Sequence, residues 1–172
     1  MNLFKFIFLF LFIFNFSSSK AEVPYILNFN FVLNESVAGK KAQDFLKNKL
    51  EKGLKKLKEK ESKIQEEEKK IIQQKKLITP EEYKKKVTEL RNEVSSLQKE
   101  RNSLLESISK NRAKARSELL KNLNPILKEY MKEKNIRMVL DKKSILLADE
   151  KLDITQDIIK RLNEKLKLIK LN

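Results

Sequence analysis

Neighbouring carboxylates, such as Glu66-Glu67-Glu68 and Asp149-Glu150, are the groups in this chain best suited to hold a metal ion or share a proton. Ser144 and Thr155 offer hydroxyls, while Lys55-Lys56 and Lys84-Lys85-Lys86 offer clustered ammonium groups. The partners that would turn these groups into catalysts are missing. The 172 residues include no histidine and no cysteine, which removes the commonest general base and the commonest soft metal ligand. Gly39 and Gly53 are the only glycines, too few for a phosphate-cradling loop or a dinucleotide-binding turn. The acids stand among lysines and read as solvated surface, and Ser144 and Thr155 read as turn and cap residues. The expectation is a protein that is not an enzyme and carries no cofactor and no metal.

The element that must position whatever this chain does use runs from about Lys40 to Lys134, dense in Lys, Glu, Leu, Ile and Val. It reads as two long helices folded back on each other. Between them, Thr79 can cap a helix start, Pro80 suits the first helical position, and Glu81 and Glu82 favour the positive end of the helix dipole. One helix is therefore expected to end near Lys76 to Ile78 and the next to begin at Pro80. In the second arm apolar residues step by four and three through Tyr83, Val87, Leu90, Val94, Leu97, Leu104 and Ile108, with Arg101 as a gap, which is a coiled-coil seam. The first arm repeats the rhythm more thinly through Leu50, Leu54, Leu57, Ile64, Ile71 and Ile78, with Glu61, Glu68 and Lys75 at the remaining seam positions. At about 1.5 Å per residue the arms are rods of roughly 60 and 80 Å, too long to fold inside a compact domain.

Residues 1–21 begin with one charge at Lys5, continue through an apolar run from Phe6 to Phe16, and end in small residues up to Ala21. This predicts a secretory signal peptide cleaved after Ala21 and export of the chain. Without Lys5 and Lys20 the formal net charge of +15 falls to +13. Lys40 to Lys134 holds 28 basic and 16 acidic residues, so +12 of that charge lies on the arms.

The chain ends are left to build a body from residues 22–39 and 119–172, with the arms at 40–118 and their tip near 77–80. Tyr25 to Leu33 alternates with period two and predicts a strand. Leu119, Leu123, Ile126, Leu127, Tyr130 and Met131 give the returning helix a wide apolar face, with a kink expected at Pro125. Ile136 to Leu140 and Ile145 to Ala148 read as two strands joined by a turn at Asp141 to Ser144. Thr155 is the expected cap of a closing amphipathic helix from Gln156 to about Lys170. Three short strands and a helix make a poor independent core, and unpaired strand edges predict an oligomer of unspecified size. Candidate oligomerisation residues are Ile26, Phe29, Phe31, Val139, Leu140, Ile145 and Leu147. The expected fold is α+β: a long antiparallel helical hairpin projecting from a small β-sheet body that oligomerisation completes, with a C-terminal helix.

The order of these segments, with Val32-Leu33-Asn34-Glu35-Ser36-x-Ala38-Gly39-Lys40 at the front and Met138-Val139-Leu140-Asp141-Lys142, Leu147-Ala148-Asp149 and Leu152-Asp153-Ile154-Thr155 at the back, resembles the Skp/OmpH family of periplasmic chaperones. The resemblance covers essentially the whole chain after Ala21. It implies a homotrimer with a small shared β-barrel body, helical arms enclosing a cavity, and unfolded outer-membrane proteins held there without ATP. Candidate client contacts are the flanking apolar residues Leu46, Ile72, Leu77, Leu105 and Leu120 and the lysines Lys55, Lys56, Lys84 and Lys85. The main alternative is a structural coiled-coil adaptor of the cell envelope. Contact with anionic lipid surfaces is compatible with the arms' charge. Specific nucleic-acid binding is not expected, because the arms have few arginines and almost no aromatics for base stacking.

Overall fold

The computed structural model describes residues 23–171, so the predicted signal peptide lies outside the described residues. In chain order the elements are strand β1 (Tyr25–Leu27), helix α1 (Phe29–Glu35), helix α2 (Val37–Gln74), helix α3 (Pro80–Glu133), strand β2 (Val139–Asp141) and helix α4 (Thr155–Lys165). Single 3₁₀ turns occupy Lys142–Ser144 and Glu150–Leu152.

The strand expected over 25–33 stops after three residues, and α1 takes its second half. Asn28 makes the switch: its side chain accepts the Phe31 N–H at 3.0 Å, capping the helix. Its own N–H donates to Thr155 Oγ1 at 2.8 Å. The alternation through Phe29 and Phe31 also fits a helix, since Phe29, Val32, Leu33 and Ser36 fall on one helical face, and burying Val32, Leu33 and Ser36 selects it. Phe31 is left exposed on α1.

Ser36 ends α1 and caps α2, its hydroxyl accepting the Gly39 N–H at 3.2 Å. At the far end α2 stops at Gln74, short of the expected 76–78, because the bonds Lys75 N–H to Ile72 O and Leu77 N–H to Gln74 O tighten its last turn. Thr79 and Glu82 form the reciprocal capping box that opens α3 behind Pro80. Helix α3 runs 54 residues without a break through Pro125, which sits on an exposed face. It ends where Asn135 enters the left-handed region (φ 53°) and Ile136 N–H reaches back to Met131 O at 2.8 Å.

The sheet is parallel and two-stranded, pairing Tyr25 with Val139, Ile26 with Leu140 and Leu27 with Asp141. On its other side β1 bridges Asp153, and the Ile154 N–H donates to Ile26 O at 2.9 Å. The expected strand over 145–148 does not form. The Asp141 side chain accepts the Lys143 N–H and starts a 3₁₀ turn where a hairpin was expected, and Leu146 and Leu147 stand in solvent. Ile145 is half-buried.

The core gathers Leu27, Val32, Leu119, Leu123, Ile126, Ile158 and Leu162 from both chain ends. Thr155 does not cap α4 with its side chain. The Asp153 carboxylate accepts the Thr155 N–H at 2.9 Å, leaving the Thr155 hydroxyl to join β1–α1 to α4. Helix α4 ends at Lys165, and Ile169 packs on the core from the tail beyond it. Among the described residues no helix is long and apolar enough to cross a membrane.

Candidate functional site: the two flanks of the helical hairpin

Antiparallel α2 and α3 form two arms of roughly 57 and 81 Å at 1.5 Å per residue. Their roots are locked to α4. The Tyr130 hydroxyl donates to Asp157 Oδ2 at 2.6 Å, and burial, reinforced by that carboxylate, pushes the phenol up to about 12. Arg161 stacks 4.7 Å from the Tyr130 ring centroid and forks onto Glu133 at 3.0 and 2.6 Å. That hydrogen-bonded guanidinium holds the Glu133 carboxyl below the usual range. Lys165 reaches Glu129 at 2.8 Å, and the Val37 N–H donates to Asn163 Oδ1 at 2.7 Å. The direction of both arms is therefore set by the last helix.

Along the hairpin the seam of α2 shares Leu50, Leu57, Ile64 and Ile71 with the expected one, Leu57 and Ile71 being buried. The residues between them are Gly53, Lys60, Glu67 and Gln74, one position earlier than Leu54, Glu61, Glu68 and Lys75. Leu54 is 48% exposed. Gly53 decides the phase, because Leu104 fills the space a side chain there would occupy. Lys60 meets Glu100 across the interface at 2.5 and 2.6 Å. On α3, Ile108 is buried, Tyr83, Val87, Leu90, Leu97 and Leu104 are half-buried, and Val94 is 50% exposed.

Seven residues make almost two turns, so positions seven apart line up along one side of a helix. Lys47, Leu54 and Glu61 form one such row on α2, and Arg91, Leu105 and Arg112 form one on α3. Two observations put these rows on the same flank: Arg101, one turn before Leu105, approaches Glu61 at 3.7 Å, and Lys47 and Arg112 line one groove. The groove, about 630 Å³, lies between the arm roots. Ala42, Leu46, Leu50, Ile108 and Ala115 give it apolar walls, and Lys47, Arg112 and Arg116 bring positive charge to it, with Asp44 as its carboxylate. Arg116 also stacks on Phe29 at 5.2 Å. All four arginines of α3 lie on this flank.

The opposite flank differs. Lys49, Lys56, Lys63 and Lys70 make a lysine row on α2, and the hollow beside Lys49 is lined by Ser103, Glu106, Ser107, Lys110, Asn111 and Lys114. The Lys110 ammonium, 2.6 Å away, holds the Glu106 carboxyl below its ordinary value. Phe45 is the apolar exception there, with Lys49 6.0 Å from its ring centroid.

Of the candidate contact residues, Leu46 is buried in the groove wall, Leu120 is half-buried, and Ile72, Leu77 and Leu105 are exposed. Lys55, Lys56, Lys84 and Lys85 are exposed on the arms. Lys47, Arg112 and Arg116 carry no apolar signal; the placement of Arg91, Leu105 and Arg112 at multiples of seven residues is what marks their side. Among the described residues no three acidic side chains converge as metal ligands.

The family model described as "Outer membrane protein (OmpH-like)" matches residues 25–162. No curated protein matches the sequence. A solved structure, a putative outer membrane chaperone (OmpH-like) from Caulobacter crescentus CB15, has the same fold, with a TM-score of 0.80 and 18% identity over 87% of this chain and 90% of that one.

Proposed function

This chain belongs to the OmpH-like family, and from that premise we propose that it is a periplasmic chaperone, an ATP-independent holdase that keeps unfolded outer-membrane proteins from aggregating in transit. The observation that carries the reading is the hairpin itself. It offers long, cationic, thinly apolar surfaces with exposed Leu54, Ile72, Leu77, Val94 and Leu105, so a client meets many weak contacts instead of one deep pocket. Weak contacts hold a chain out of aggregation and still release it. The positive arms speed the encounter with acidic unfolded chains in a salt-dependent way.

One hairpin encloses nothing, so the reading includes a homotrimer. Strand β1 has neighbours on both sides, which leaves β2 as the open edge of the sheet among the described residues. Around that edge Met138, Leu146 and Leu147 are exposed. Unpaired backbone beside exposed apolar side chains favours closure by further copies of the chain.

The test is light scattering as a urea-unfolded outer-membrane β-barrel protein is diluted into buffer with residues 22–172, repeated over a salt series. Suppression near three chains per client, weakening with salt, is the expected result. No suppression at any salt would overturn the holdase and favour a coiled-coil adaptor with a folded partner.

A further inference from the structure

The two flanks of the hairpin are chemically unlike, and only one is suited to a disordered polypeptide. Lysine is a compact, strongly hydrated charge that keeps a helix soluble, whereas arginine is less hydrated, planar and able to grip a carboxylate with two parallel hydrogen bonds. On the side that carries Leu54, Leu105 and the root groove, Arg112 and Arg116 line the groove, Arg101 meets Glu61 at 3.7 Å, and Arg91 continues the row of Leu105 and Arg112. Neither Arg91 nor Arg112 has an ion-pair partner among the described residues. Two guanidiniums free to pair, set in one row with an exposed leucine, match a chain in which acidic and apolar side chains alternate.

We propose that this arginine-bearing flank, with the root groove as its deepest point, is the surface that holds the client, and that it selects unfolded segments in which apolar residues are interspersed with aspartate or glutamate. The assignment rests on the holdase reading and adds to it which side of the arm binds and what chemistry it prefers. Apolar side chains of the client occupy the groove between Leu46, Leu50 and Ile108, and its carboxylates meet Arg112 at the rim and Arg91 farther along. The lysine row on the opposite flank keeps the arm soluble and attracts acidic chains from a distance without holding them.

The experiment compares two triple variants of the chain from Glu22 in the light-scattering assay. Leu54→Ser/Leu105→Ser/Arg112→Ser changes the proposed flank and removes one charge. Lys56→Ser/Lys63→Ser/Lys70→Ser changes the other flank and removes three. All six residues are exposed, and circular dichroism and sedimentation check that both variants keep helix content and assembly. The first is expected to need about tenfold more chaperone for half-suppression, the second less than about threefold. Equal losses, or a larger loss in the lysine variant, would overturn the assignment while leaving the holdase standing. A wild-type chain that suppresses nothing would remove both.

A second readout does not depend on suppression. The sequence has no cysteine, so Leu105→Cys and Lys63→Cys each give a single site for a photo-activated cross-linker. Cross-links to a client peptide from Leu105→Cys, and few from Lys63→Cys, are expected, with yield falling when the peptide's acids become amides. Cross-links from Leu105→Cys to a second copy of the chain alone, or equal yields from both sites, would contradict the proposal.

Discussion

Gly39 packs its Cα so closely on the Leu33 backbone that a Cβ there would overlap the carbonyl oxygen, whereas a Cβ on Gly53 would meet only the Leu104 side chain, at 2.5 Å from Cδ2. Backbone cannot give way as a leucine side chain can. Gly39→Ala is therefore expected to destabilise the body by about 3 kcal/mol. Gly53→Ala should fall within about 1 kcal/mol of neutral, because crowding of Leu104 offsets the better helix propensity of alanine. Adding Leu104→Ala should expose the propensity gain. Chemical denaturation of the single and double variants reads all three, and equal costs at the two glycines would contradict the packing.

Tyr130 binds the arm root to α4 through Asp157 and is shifted up to about 12. A phenol whose folded value lies above its unfolded value of about 10 stabilises the fold fully below pH 10. That contribution is lost as pH rises from 10 through 12. Tyr130→Phe should cost about 1–3 kcal/mol at pH 7, since Asp157 loses its donor. The gap from wild type should narrow above pH 10, measured by urea unfolding over a pH series.

Asp153 is pushed up by partial burial, but the Lys142 ammonium at 2.7 Å and the Thr155 hydroxyl and N–H outweigh it and hold the carboxyl below the usual range. A lowered carboxylate stabilises the fold above its unfolded pKa, and the contribution disappears as pH falls through the lowered folded value. Asp153→Asn should thus destabilise at pH 7 and approach wild type at pH 2. A constant deficit at both pH values would contradict this origin.

Pro125 interrupts the hydrogen-bond ladder of α3 on an exposed face. Pro125→Ala restores one N–H and should stabilise the chain by about 2–3 kcal/mol, seen as a higher Tm. A lower Tm would mean that the proline geometry is needed where α3 enters the body.

Leu146 and Leu147 are fully exposed in one chain beside the open edge of β2. Leu146→Asp/Leu147→Asp should leave helix content unchanged and convert the proposed trimer to monomer at micromolar concentration in analytical ultracentrifugation. An unchanged sedimentation coefficient would place the interface elsewhere.

The helices were legible in the sequence because their signals are local. Thr79-Pro80-Glu81-Glu82 marks the start of α3 to the residue, through a cap, a fixed φ and a dipole effect that all act within one turn. The seam was half legible. The row Leu50, Leu57, Ile64 and Ile71 lies along the side of α2 that faces α3, but Leu54 outcompeted Gly53 in a reading that weighs hydrophobicity, and only the facing Leu104 reveals that the smaller residue lies inside. The body was harder. Residues 28–35 satisfy both a period of two and a helical spacing, and the deciding partner of Asn28, Thr155, lies 127 positions away. The parallel pairing of β1 with β2 is equally remote, while a local hairpin at Asp141 to Ser144 was the simpler expectation. The groove's cations went unmarked because single arginines in a basic helix carry no signal until a seven-residue row is counted.

The pairing of β1 with segments near the other end of the chain also orders events in time. The chain emerges N-terminus first, so Tyr25–Leu27 appears well before Val139–Asp141 and Asp153, and the first strand has nothing to join until those segments follow. The arms need no such delay: their turn is local, and zippering from Thr79 draws the two distant ends into proximity, removing most of the loop-closure entropy that pairing them would otherwise cost. The hairpin is thus a folding device for its own body, and a product truncated before Val139 keeps the sequences of both arms but lacks the strand that β1 joins.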